Sequence, residues 1–258
     1  MRNIKLIIEY DGTHYHGWQS QSGTGKPTIQ DTLDQAIKTL THENIKSLSS
    51  GRTDAGVHAF GHVANFITGS TIPSEAWAPA LNHLLPNDVR ILSSEEVPED
   101  FHARYSALGK IYAYRILNRR EPTALYRDYA WRVNQRLNLK NMKLAAAILV
   151  GKHDFSTFRG SGCSAKSPVR TVKSAVVQKT GDFIEISVEA DAFLQYMMRN
   201  IAGTLVEVGI GRFSPGDVRQ MLNSCDRTTA GRTAPPQGLY LVKVLYGKKL
   251  KQKTQRDR

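Results

Sequence analysis

Short apolar runs alternate along the chain with segments in which apolar side chains recur every third or fourth residue. The short apolar runs predict strands, and the spacing of three or four residues predicts amphipathic helices. In the first part of the chain these patterns predict strands at 3–10, 58–68 and 88–97 and helices at 29–40 and 74–85. The helix at 29–40 places Ile29, Leu33 and Ile37 on one buried face. This order of elements is typical of the split βαβ arrangement.

The second part of the chain repeats a strand-rich pattern with fewer helices. Strands are predicted at 110–118, 171–179, 183–189 and 238–246, and helices at 139–150, 193–209 and 215–223. The segment 151–172, rich in Gly, Ser, Lys and Arg, is predicted to be a loop. We therefore expect an α+β protein with an N-terminal domain at 1–105, a C-terminal domain at 106–246 and a basic tail at 247–258.

Charge separates the two predicted domains. The 258-residue chain has a net charge of +12, yet residues 1–105 hold 8 Lys and Arg against 12 Asp and Glu. All of the excess positive charge lies in the remainder, which predicts that the second half holds a polyanion. No apolar run of about 18 residues occurs, and the first ten residues do not resemble a signal peptide. Nucleic acid is therefore favoured over a membrane, and we expect a soluble cytoplasmic protein whose two cysteines, far apart in the chain, are ordinary thiols.

The string GRTDAG at 51–56 contains the strongest catalytic candidate. Glycines on both sides of Asp54 allow a sharp bend and close approach of another molecule. Arg52 is expected to pair with Asp54 and to lower the pKa of its carboxyl, which would favour an ionised nucleophile or base. A structural turn braced by a salt bridge is the alternative that the tripeptide alone leaves open.

Histidines near both ends of this region raise the question of a metal. His14, His16, His58 and His62 lie in two groups, but their spacing matches no known metal site. Aromatic and histidine side chains on a loop can equally stack on bases. We predict no metal site.

The chain resembles the TruA family of tRNA pseudouridine synthases in at least six motifs spread from residue 4 to residue 246. They include YDGTxYxGWQxQ, GRTDAGVHAxGxVAxF, FHARxSAxxKxYxY, MxRN and AGxTAP with Arg in place of Pro. The chain also departs from the family at His62, where Gln is common, and at Asn65, where His is common. These departures concern local contacts rather than the proposed nucleophile.

The resemblance implies the architecture and the chemistry. The architecture is two split-βαβ, ferredoxin- or RRM-like domains with joined antiparallel sheets and a central active-site cleft. Asp54 would be the catalytic nucleophile, Arg52 and Arg199 would orient it through ion pairs, Tyr112 would pack against the target base, and Leu239 would line the cleft. Further substrate-binding candidates are His58, Lys110, Arg159, Lys166 and Arg170.

The implied reaction is the isomerisation of uridine to pseudouridine at positions 38, 39 and 40 in the anticodon stem and loop of tRNA, by a homodimer. An isomerisation without redox change needs no metal or organic cofactor. Whether Asp54 attacks C1′, adds to C6 or abstracts a proton stays open. Two other functions also stay open: a non-catalytic tRNA-binding protein and a metal-dependent hydrolase built on Asp54 and the histidines.

Overall fold

One mixed sheet forms the centre of the molecule. The computed structural model describes residues 1–20 and 25–247, so the predicted basic tail, apart from Gly247, lies outside the described residues. The strands are β1 (Arg2–Tyr10), β2 (Leu48–Ser49), β3 (His58–Thr68), β4 (Val89–Val97), β5 (Ala107–Asn118), β6 (Trp131–Val133), β7 (Gly151–Asp154), β8 (Val169–Thr180), β9 (Phe183–Ala190) and β10 (Leu239–Tyr246). The helices are α1 (Ile29–Thr41), α2 (Trp77–Leu84), α3 (Leu139–Ile148), α4 (Met197–Ile210) and α5 (Pro215–Ser224). The predicted α+β class is confirmed.

The order of the strands joins the two parts of the chain into one sheet. Along the described chain it is β4-β1-β3-β10-β5-β9-β8-β7, with β2 added to β3 and β6 added to β5. The junction is β3 against β10, a parallel pair in which His58 is opposite Tyr240 and Ala59 is opposite Leu241. The other neighbours along this order are antiparallel. The division into domains at residue 105 stays a prediction.

Alternation along β5 distinguishes the two faces of the sheet at its centre. Tyr112 and Tyr114 point to the side on which α4 packs, and Arg115 points to the opposite side. We call the side with α4 the helix face. The side that carries Phe60, Arg115 and Tyr240 is called the open face.

Helix α4 is buried on almost its whole surface. Every residue from Met197 to Gly209 is buried except Arg199. Gly203 and Gly209 permit this close packing: a Cβ on Gly203 would lie 1.7 Å from the carbonyl oxygen of Arg232. Its buried polar residues have partners, since Asn200 donates to the carbonyl of Phe158 and Glu207 pairs with Arg212. Helix α4 therefore anchors the C-terminal half and fixes the position of Arg199.

Several element boundaries differ from the prediction, and the short strands β2 and β6 were not predicted. Strand β5 begins at Ala107 rather than at residue 110. Helix α4 begins at Met197 rather than at residue 193, because Tyr196 has φ +61° and left-handed backbone cannot continue a helix. Helix α2 begins at Trp77 rather than at residue 74. The predicted loop 151–172 was wrong at both ends, since β7 pairs with the start of β8 from Gly151 opposite Val172 to Asp154 opposite Val169.

Candidate active site

The Asp54 loop follows β2 and leads into β3 on the helix face. The backbone N–H of Ser50 donates to the carbonyl of Val63, and the N–H of Trp18 donates to the carbonyl of Thr53. Gly17, with φ +80°, lets the first connecting segment approach closely, because a Cβ there would lie 2.3 Å from the Thr53 carbonyl oxygen. The loop is therefore held against the sheet on one side and against the segment after β1 on the other.

Asp54 meets Arg199 across 145 residues of sequence. The Nη1 atom of Arg199 lies 3.2 Å from Oδ2 of Asp54, and their side chains are 15% and 28% exposed. The Nε–H of Arg199 donates to the carbonyl of Ala234 at 2.8 Å, which fixes the guanidinium in the plane of that contact. The predicted approach of Arg199 to Asp54 is therefore present in this structure.

Burial dominates the electrostatics of this carboxyl. Removal from water raises the pKa of Asp54 above its ordinary value, and the charge and hydrogen bond of Arg199 offset this only in part. The expectation that the pKa of Asp54 would be lowered was wrong in direction. The loss of hydration was not visible in the local sequence, because it depends on the elements that cover the loop.

Arg52 does not pair with Asp54, so that part of the prediction was also wrong. Its Nε–H donates to Oε1 of Gln19 at 2.9 Å, and the residue is exposed. The loop turns one side chain inward and the other outward, although only one residue separates them. Arg52 thus lies at the rim, where Gln19 holds it.

Tyr112 lies near Asp54, and Leu239 lies on the neighbouring strand β10. Tyr112 is buried and packs edge-on against Phe193, with ring centroids 4.7 Å apart. Burial raises the pKa of the Tyr112 hydroxyl, and the nearby charge of Asp54 raises it further, so the phenol stays protonated at neutral pH. Leu239 pairs in register with Tyr114, whose hydroxyl donates to the carbonyl of Pro235. Apolar and aromatic surface thus adjoins the carboxylate.

Lys110 lies beneath the Asp54 loop. Its Nζ donates to the carbonyl of Ser50 at 2.7 Å and occupies the space that a Cβ on Gly51 would need. Burial lowers the pKa of Lys110 to about 8. The ammonium is therefore used to brace the loop backbone.

His58 is separated from this site. It stacks on Tyr240 at 4.8 Å, its Nδ1 accepts the N–H of Gly12, and its Nε2 lies 3.0 Å from the carbonyl of Asp128. Burial lowers the pKa of His58. The contact with Tyr240 assigns His58 to the open face, so the structure does not bring it to Asp54.

The three cations predicted for the 151–172 segment have different surroundings. Arg159 donates to the carbonyls of Cys163 and Ala165, which shapes its own loop. Arg170 donates to the carbonyls of Ser167 and Val169. Lys166 is exposed.

A buried polar chain behind Asp54 was missed in the sequence. The hydroxyl of Tyr10 lies 2.8 Å from Oγ1 of Thr53 and 3.4 Å from Nδ1 of His62. The imidazole of His62 stacks on Trp18 at 3.9 Å. Burial lowers the pKa of His62 well below its ordinary value, so the ring is neutral. The only sequence signal was a histidine where the resembled motif commonly has Gln.

A cavity on the open face is separate from this site. Its volume is about 790 Å³, and neither Asp54, Tyr112 nor Arg199 lines it. Within the described residues, no group of three or more His, Cys, Asp or Glu side chains is arranged to hold a metal ion. Across the same residues, no helix has the length and apolar character needed to cross a bilayer.

Comparison with known proteins agrees with this geometry. A family model described as tRNA pseudouridine synthase matches residues 6–106 and 145–247. The chain is 50% identical over 246 residues to tRNA pseudouridine synthase A of Acetivibrio thermocellus, covering 95% of this chain and 100% of the relative. With the same coverage it is 48% identical to tRNA pseudouridine synthase A of a Thermoanaerobacter species and 50% identical to tRNA pseudouridine synthase A 2 of Clostridium perfringens. The chain therefore belongs to the tRNA pseudouridine synthase family.

Proposed function

We propose that this protein isomerises uridine to pseudouridine in tRNA, with Asp54 as the catalytic carboxylate. The observation that carries the proposal is the contact of Asp54 with Arg199 beside the buried ring of Tyr112. The reaction must break the N-glycosidic bond, rotate the uracil in place and join its C5 to C1′ of the sugar. Such a site needs a carboxylate next to the anomeric centre and must exclude water while the base is detached.

Each side chain has a role in that sequence of events. Arg199 holds the Asp54 carboxylate in one orientation and, by favouring its ionised form, opposes the effect of burial. Tyr112 and Leu239 offer a flat apolar surface to the flipped uracil. Arg52, exposed at the rim, is suited to contact the RNA backbone. Asp54 has one of three roles. It attacks C1′ as a nucleophile, it adds to C6 of the uracil, or it acts as the base that starts the reaction.

The substrate region and the cellular site follow from the family resemblance. We infer that the target uridines are those at positions 38, 39 and 40 of the anticodon stem and loop, and that the protein acts in the cytoplasm. The basic C-terminal half supports tRNA as the substrate, since phosphate contacts supply most of the affinity for RNA.

We also propose a homodimer formed through the open face. Phe60, Leu125, Tyr126 and Tyr129 are 37% to 77% exposed around the open-face cavity. Aromatic residues are typical of the centres of protein interfaces. The exposed aromatic side chains make the open face suited to self-association. The cavity is lined by Glu9, Asp11 and Glu185 against the cation Arg115, which makes this face poorly suited to RNA phosphates.

The test of the activity is tritium release from tRNA labelled at uracil C5. Isomerisation liberates this hydrogen without cutting the strand, whereas a binding protein releases none. Asp54→Asn should abolish release while tRNA affinity stays within about tenfold, or about 1.4 kcal/mol. A metal-dependent hydrolase would cut the strand without releasing tritium and would stop in excess EDTA, whereas release that persists in EDTA excludes it. Turnover by the Asn variant would refute the role of Asp54.

The test of the dimer is the molar mass in solution by light scattering. Leu125→Asp, at a site that is 77% exposed, should convert a dimer into a folded monomer. Leu144→Asp is the matched control, because Leu144 is 51% exposed on α3, away from the open-face cavity. A monomeric wild type, or a dimer that only the Leu144 variant disrupts, would contradict the proposed surface.

A further inference from the structure

Tyr196 has an unusual backbone next to the active site. It immediately precedes α4 with φ +61° and ψ 0°, the left-handed conformation. A bulky aromatic residue seldom adopts this conformation, which persists only where surrounding contacts enforce it. Such outliers cluster at functional sites, so the contacts of this residue are informative.

One contact of the Tyr196 ring is with the Arg199 side chain. The guanidinium carbon lies 4.9 Å from the ring centroid, within the range of a cation–π interaction. The same guanidinium donates through Nε to the carbonyl of Ala234 and through Nη1 to Asp54. Three different groups therefore fix its position, and the ring is the one that carries no hydrogen bond to it.

Another contact of the ring is with Gly160. A Cβ on Gly160 would lie 2.4 Å from Cδ2 of Tyr196, so any other residue at 160 would displace the ring. The N–H of Gly160 also donates to the carbonyl of Gln195 at 2.8 Å, which ties the 155–168 loop to the residue before Tyr196. Gly160 thus lets the ring take the position from which it contacts Arg199.

We propose that Tyr196 is a positioning residue, whose ring, admitted by Gly160, holds the Arg199 guanidinium against Asp54. This inference rests on the proposed function and adds to it a residue that touches neither Asp54 nor the reacting base. The left-handed backbone is what turns the ring toward Arg199, instead of letting it follow the helix as the sequence pattern predicted.

The key variant is Tyr196→Asn, because Asn tolerates left-handed backbone and lacks a ring. We expect kcat for tritium release to fall about tenfold, with KM for tRNA changed by less than about twofold. Tyr196→Phe restores the ring and should restore kcat. Gly160→Ala displaces the ring and should resemble Tyr196→Asn. Gly216→Ala on α5 is the matched glycine control, since a Cβ on Gly216 would lie 3.6 Å from its nearest neighbour, an ordinary van der Waals distance.

The pH profile of kcat separates positioning from general damage. The charged group that shifts the pKa of Asp54 is Arg199 from α4, and Asp54 in turn raises the pKa of Tyr112 from β5. Arg199 lowers the pKa of Asp54, so loosening it should move the acid limb of the profile to higher pH in Tyr196→Asn and Gly160→Ala. A lower kcat with an unmoved acid limb, or an unchanged kcat in Tyr196→Asn, would overturn the proposal. Absence of tritium release by the wild type would instead refute the proposed function.

Discussion

Asp54→Asn should abolish activity and at the same time stabilise the fold. The pKa of Asp54 is raised by burial, so the folded protein disfavours the ionised carboxyl relative to the unfolded chain. Stability linked to this group is fully present below the pKa of Asp54 in the unfolded chain and is lost as the pH rises through its folded pKa. Asn resembles the protonated acid at every pH and can still accept the hydrogen bond from Arg199.

Two opposing contributions set the magnitude. At the observed 3.2 Å separation and an effective dielectric constant of about 20, the attraction between the two charges is about 5 kcal/mol. Arg199 stays charged and partly buried in both proteins, so the cost that the substitution removes is the desolvation of Asp54 alone, several kcal/mol, which offsets that attraction. Because burial is the larger influence on Asp54, we expect the Asn variant to gain about 1 kcal/mol at pH 8, or about 2–4 °C in Tm.

The assay is thermal unfolding of both proteins from about pH 4, close to the ordinary pKa of Asp, to pH 8. The difference in Tm should be largest at pH 8 and should shrink toward pH 4, because the folded protein holds Asp54 increasingly protonated there. Asp11→Asn is the control of opposite sign. Burial raises the pKa of Asp11, but hydrogen bonds from Thr13 and Tyr129 lower it by more. The ionised Asp11 therefore stabilises the fold, and Asp11→Asn should reduce Tm. A Tm for Asp54→Asn several degrees below the wild type at pH 8 would refute the reasoning.

Three further predictions concern the surroundings of Asp54 and the basic half. Tyr112→Ala should lower kcat about tenfold and Tyr112→Phe much less, because the buried phenol stays protonated and packing is its main contribution; equal damage in the two variants would indicate a role for the hydroxyl. Between about pH 8 and 10.5 the folded state holds fewer protons on Lys110 than the unfolded chain, so the wild-type unfolding free energy should gain a contribution that rises with pH. Lys110→Met should remove this contribution, and a denaturant titration at several pH values measures it. Deletion of 248–258, which holds six cations, should flatten the salt dependence of tRNA binding by roughly 0.7 to 0.9 in log-log slope per lost contact and raise KM. A collapse of kcat in the truncated, folded protein would mean that this segment enters the cleft.

The longer strands and most helices were predictable because burial imposes a period on the sequence, whereas the short strands β2, β6 and β7 were not predicted. Strand β3 was predicted at its observed bounds, and α1 and β10 within one residue at each end. The errors lie where a single backbone conformation overrides periodicity, as at Tyr196, or where two short segments pair only with each other, as in β7 and the start of β8. Neither effect leaves a periodic pattern.

The sequence by itself determined most of the secondary elements, the charge asymmetry and the identity of Asp54 as the candidate carboxylate, since these depend on residue type and local spacing. Only the tertiary structure decided which arginine contacts that carboxylate. Arg52, two residues away, turns to Gln19, whereas Arg199, 145 residues away, reaches Asp54 because β3, β10 and β5 bring α4 over the loop. The direction in which the pKa of Asp54 is shifted was decided in the same way, because desolvation depends on the surrounding packing and not on the neighbouring residues in the sequence.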